Sequence, residues 1–265
     1  MTQNDRVDYW KLHEREFESR HRLFELVGDA MKQISGHRDS TTPDKIVVGI
    51  FVRSTNAWRA AGHLCGVGYG VEAGMLNRVL FEALADLAWT SMHPDEATEL
   101  FTKHDEFAQL LIADKASGFP GFEVEPLTQP QQERFAEVSI FGDFGEKHWT
   151  RVGVHGRLQS SKAAFTRADE FAEVERWHAI AHFQHNQLLH GSPLGLAHRV
   201  QELDADATAF NSGPSDEWIS KALVAGAWTM SMITVLALRH FKIPDGDFWQ
   251  AADAELTVLR ASAPA

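Results

Sequence analysis

The stretch ERWHAIAHFQHNQLLHGSP places His178, His182, His185 and His190 within thirteen residues. An α-helix turns by about 100° per residue, so Glu175, His178, His182 and His185 fall within an arc of about 80°, one above another. Neutral imidazole ligates zinc, iron or copper, and an i, i+4 pair supplies two ligands from one helix. Glu175, His178, His182 and His185 are therefore a candidate site for a divalent transition metal. Glu175-x-x-His178 also has the spacing found in carboxylate-bridged di-iron bundles, which need a second such pair on a facing helix. The plainer alternative is a polar helix face whose histidines are hydrogen-bonded. His190 lies about 120° off this stripe, just before Gly191, where it would complement a helix C-terminus.

A second candidate lies in GMLNRVLFEALADLAW, residues 74–89, where Arg78 and Glu82 stand four apart among Val79, Leu80, Phe81, Leu84 and Leu87. Charges in so apolar a helix are at least partly buried, and a buried charge must find a partner. Two roles fit the pair: an intrahelical salt bridge at the core edge, or a pre-positioned polar centre facing the histidine helix.

Arg176 and His182 have the R-x(4–6)-H spacing, and on these residues the chain resembles the higher eukaryote and prokaryote nucleotide-binding (HEPN) superfamily. Many of its members are ribonucleases of toxin and phage-defence systems. The resemblance implies that Arg176 would stabilise a phosphorane while His182 moved a proton from a ribose 2′-OH. Over about residues 45–240 the chain also resembles a bacterial all-helical domain-of-unknown-function family, the one numbered 5677. Arg78 and Glu82 match its R-x-L-x-E-type helix, and His190, Gly191, Ser192 and Pro193 match the His-Gly-Ser end of its later aromatic-rich helix. Phe183, His185, Asn186 and the HW of EKHWTRVG belong to the same likeness. That family often carries Ser in the turn before the histidine, and here Asn186 stands there, which speaks against a hydroxyl nucleophile. The resemblance implies a polar cluster of Arg78, Glu82 and His190, and no particular reaction. Together, the candidate catalytic residues are Arg78, Glu82, His182, His190 and Arg176.

The elements that must position these groups are helical. Apolar residues recur at helical spacing along Asp5–Ile34 (Trp10, Phe17, Phe24, Val27, Met31, Ile34). Thr42-Pro43 reads as the N-cap and first residue of a second helix carrying Ile46, Val47, Ile50, Phe51 and Trp58. The patch GHLCGVGYGVEAG contains G-x-G-x-G but follows a helix rather than a strand, so it reads as a helix–helix corner, not a nucleotide loop. Further helices are expected over 71–92, 94–116, 166–189 and 247–259, with an irregular insertion near 117–165 and irregular chain over 194–213. Residues 222–238, ALVAGAWTMSMITVLAL, carry no charge, but they sit at the short limit for crossing a bilayer and are diluted by Ala, Gly, Ser and Thr. They read as a buried core helix. The expectation is an all-α, single-domain bundle of about six to eight helices, with the N-terminal helix 5–34 packed on the core.

The formal charge of −12 excludes a surface broadly attractive to nucleic acid or anionic membrane, and leaves room only for a local RNA or nucleotide contact. Cys65 is the single cysteine, so no internal disulfide forms, which fits a cytoplasmic protein. The long amphipathic helices could pair in a homodimer. Three function classes follow: a nuclease-like hydrolase of a defence or toxin system, a metal-binding helical protein, and a non-catalytic interaction module.

Overall fold

A computed structural model describes residues 7–36, 41–117, 119, 124–142, 148–189, 200–204, 207–210 and 213–262. The helices are α1 (Tyr9–Leu12), α2 (Glu14–Ser35), α3 (Thr42–Gly66), α4 (Gly70–Met92), α5 (Pro94–Ala116), α6 (Gln129–Val138) and α7 (Val154–Ser160). They continue as α8 (Glu170–Trp177), a π-helical segment (His178–Gln184), α9 (His185–Leu189), α10 (Ile219–His240) and α11 (Gly246–Ser262). The protein is all-α, with one small antiparallel hairpin among the described residues, β1 (Val200–Asp204) and β2 (Ala207–Phe210), in the stretch expected to be irregular.

The apolar run of the sequence becomes α10, the centre of the core. Every residue from Ile219 to Leu238 except Lys221 is buried. This is the one helix among the described residues long and apolar enough to cross a membrane, yet 94% of its most apolar window is buried inside the protein. Three of its hydroxyls cost little because they are bonded one turn back: Thr229 donates to the Ala225 carbonyl, Ser231 to Ala227 and Thr234 to Met230, at 2.8–2.9 Å. α3 and α4 pack against α10 and against each other, while α2 and α11 pair on its other side. One hydrophobic cluster joins these elements from Tyr9 to Leu259. A satellite cluster of Phe107, Val138 and Phe141 holds α6 on α5.

Glycines set the closest approaches. Gly68, at φ +86°, turns α3 into α4, and a Cβ there would strike Tyr9 and Pro214. The glycine-rich patch is thus the expected corner. Gly226 lets α10 meet α4, where the Asn77 amide donates to the Ala222 carbonyl at 2.7 Å.

Four boundaries differ from the sequence reading. The N-terminal helix is broken at His13, whose backbone (φ −114°, ψ 31°) leaves the helical region. Thr41, not Thr42, caps α3: its backbone N–H donates to Asp44 at 2.6 Å, and its hydroxyl accepts from the Asp44 N–H. The histidine helix begins at Glu170 rather than 166. The insertion near 117–165 holds α6 and α7; proline in the first turn of α6, which composition alone reads as loop, is compatible with a helix start.

Candidate functional site

Helix α4 presents Arg78, Glu82 and Asp86 at successive i+4 steps, so all three share one face. The segment from α8 to α9 lies along one side of this face and α7 along another. Glu82 is the meeting point. One of its carboxylate oxygens lies 2.6 Å from Arg78 Nη2 and 3.6 Å from His182 Nε2, with the carboxylate side chain 28% exposed. Burial pushes the Glu82 carboxyl up, but His182, Arg78 and Arg157 together hold it below its ordinary value, so it is ionised at neutral pH. The fold thus brings Arg78, Glu82 and His182 together.

His178 and His182 stack on each other (ring centroids 5.1 Å apart, 17° between planes) above the buried Phe81 ring. His155 of α7 packs on the other side of His178 at 5.8 Å. Burial, then the neighbouring His182 and His155, lower the His178 pKa.

The four-residue metal set does not assemble. His185 is 1% exposed and packs against Trp218 and Gly74, away from Glu82. Glu175 accepts from Gln159 at 2.9 Å. The physical reason is position along α4: His185 meets the helix at Gly74, two turns before Glu82 on the same row, where its ring is packed into the core. Among the described residues no group of three His, Cys, Asp or Glu side chains is placed to hold a metal ion. Arg176 is exposed, and the guanidinium beside His182 is that of Arg78 instead. His190, with Gly191, Ser192 and Pro193, lies outside the described residues.

The structure adds residues to which the sequence reading gave no role in the site. Asp86 Oδ1 sits 3.0 Å from Arg157 Nε and 3.4 Å from His148 Nε2. The Arg157 side chain, 2% exposed, also donates from Nη1 to the Val152 carbonyl (2.5 Å) and to His148 Nδ1 (3.0 Å). With Nδ1 accepting, the His148 proton sits on Nε2, aimed at Asp86. Glu82, Asp86 and His148, with Arg53, His104 and Trp149, line a cavity of about 230 Å³ beside α4. A signal for Asp86 was present: it continues the Arg78–Glu82 spacing by one more turn. His148 stood in the HW of the family likeness without an assigned role and Arg157 carried no signal, because their place depends on how the 117–165 region folds back.

Residues 44–207 match the profile of DUF5677, a family of unknown function. The chain belongs to this family. No curated protein and no solved structure matches it. The matched span contains both halves of the site: α4 with Arg78, Glu82 and Asp86, and the elements that carry His148, Arg157 and His182.

Proposed function

We propose that this DUF5677 protein is a hydrolase of a small phosphate ester or an accessible phosphodiester, working at the cavity beside α4. Glu82 is the general base that takes a proton from the attacking water. His148 donates an Nε2–H hydrogen bond to the leaving oxygen as the P–O bond breaks, and that oxygen takes its proton from solvent. Arg53 at the cavity rim holds the phosphoryl group, while Arg78 and His182 keep Glu82 ionised and oriented. The observation that carries this reading is an ionised, half-buried carboxylate and an imidazole of fixed tautomer lining one cavity. The guanidinium groups of Arg53, Arg78 and Arg157 outnumber the carboxylates of Glu82 and Asp86, so the locale favours an anion in a chain that is −12 overall. RNA of a defence or toxin system is the phosphodiester that the Arg176–His182 likeness suggests. The same reading puts the protein in the cytoplasm, where the buried Cys65 stays reduced.

The test is hydrolysis of p-nitrophenyl phosphate, bis-p-nitrophenyl phosphate and a panel of oligoribonucleotides. Glu82→Gln and His148→Gln should each lower the rate by about 10²-fold or more at unchanged melting temperature. Wild-type rates in both variants, or no turnover on any substrate, would remove the proposal.

A second reading, a non-catalytic module, is favoured by the internal pairing of Asp86 with Arg157 and of Arg78 with Glu82. It predicts that the same substitutions lower stability and that no substrate is turned over.

A further inference from the structure

A second cavity, of about 580 Å³, opens on the opposite element set: the α1–α2 break, the start of α10 and the end of α11. It is independent of the α4 centre. Leu12, His13, Glu16, Trp218, Ser220 and Lys221 contribute to its wall, with Asp216 and Glu217 exposed at its mouth.

The break in the N-terminal helix has a consequence here. By leaving helical geometry, His13 turns its ring back over the first turn of α2, where Nδ1 lies 3.2 Å from Glu16 Oε1. The Ser220 hydroxyl of α10 donates to the same carboxylate oxygen at 3.0 Å. The Glu16 side chain is 9% exposed and that of His13 is 12% exposed, so this is a built, nearly dry network rather than a surface pair. With the Nδ1 proton given to Glu16, the second nitrogen, Nε2, presents a lone pair. It is buried and has no hydrogen-bond partner. A buried acceptor without a donor is costly, and the missing partner must be an N–H or O–H group.

The surrounding charge says which. Among the described residues that line the cavity, Glu16, Asp216 and Glu217 are accompanied by one cation, Lys221. That ammonium already lies 5.5 Å from the centroid of the Trp218 ring, so the wall carries an aromatic face that accepts an alkylammonium. We propose that this cavity binds a small aliphatic amine, whose ammonium donates to His13 Nε2 and is balanced by the carboxylates of Glu16 and Asp216, with its carbon chain along Trp218 and Leu12.

The experiment is calorimetric titration of the full chain with 1,4-diaminobutane, with succinate as a control of the same length and opposite charge. Saturable diamine binding and no succinate binding are expected. His13→Phe, which keeps a ring and removes both nitrogens, and Asp216→Asn, at the exposed mouth, should each weaken the diamine at least tenfold. Melting temperatures are measured alongside, and Asp216→Asn keeps the test decisive should His13→Phe fail to fold. Glu82→Gln should bind the diamine as the wild type does, which separates this site from the hydrolase reading. Absence of diamine binding, equal binding by both variants, or a preference for succinate overturns the proposal.

Discussion

His185 offers the most direct check of the packing between α4 and the histidine segment. Its ring is 1% exposed, pressed against Trp218 and the Gly74 position of α4, and burial lowers its pKa to about 4 from the ordinary 6.5. The charged form is thus disfavoured in the folded state. Above pH 6.5 the ring is neutral in folded and unfolded chains alike, and full stability is present. As pH falls below 6.5 the unfolded chain takes up a proton that the folded chain refuses, so stability drops until the folded pKa is reached. At 1.36 kcal/mol per unit, the full shift corresponds to about 3 kcal/mol by pH 4, of which roughly 1 kcal/mol is already lost between pH 7 and 5.5. The assay is urea denaturation at pH 7, 6.5, 6 and 5.5 for the wild type and for His185→Leu, which keeps an apolar side chain of similar size and removes the titration. The variant's absolute stability is not the readout; the slope against pH is. The slope should flatten by most of that roughly 1 kcal/mol in the variant. Identical slopes for the two proteins would refute the reasoning, because the ring would then be titrating freely and could not be packed as described.

Other substitutions test other joints of the fold. Arg157→Met leaves Asp86 without its buried partner and should cost about 3–5 kcal/mol in urea denaturation, with part recovered in the Arg157→Met, Asp86→Asn double variant. No recovery would mean that the two groups are not coupled. Gly226→Ala places a Cβ 2.6 Å from Asn77 Oδ1 and should destabilise by about 1–3 kcal/mol. Gly49→Ala, mid-helix in α3 with nothing within 4 Å, should instead stabilise by about 0.5–1 kcal/mol; equal signs for the two would contradict the described α4–α10 approach. Thr41→Ala removes the hydroxyl that caps α3 and should lower stability by about 1 kcal/mol, read as a shift in melting temperature, whereas Thr42→Ala should leave it nearly unchanged.

Much of the bundle was legible because helical periodicity is a local property. The stripe in α2, the Pro94 start of α5 and the uncharged run of α10 each announced an element, since apolar spacing decides which face must leave water. Arg78 and Glu82 were legible for the same reason: two charges one turn apart in an apolar helix must find partners. His13 was not, because a single break in a continuous stripe depends on contacts with Glu16 and Ser220, the latter 207 positions away in the chain.

By itself the sequence determined that the chain is helical, where its long helices run, which one fills the core, and that Glu82 would need a cation. Tertiary structure decided which side chains share a cavity. Packing at Gly74 set His185 apart from Glu82, and the folding back of residues 148–157 brought His148 and Arg157 to Asp86. The reason is geometric: spacing fixes which residues share a face of one helix, but the partner across that face is chosen by packing over the whole core. A change of a few tens of degrees per turn is enough to send the same side chain to a different neighbour.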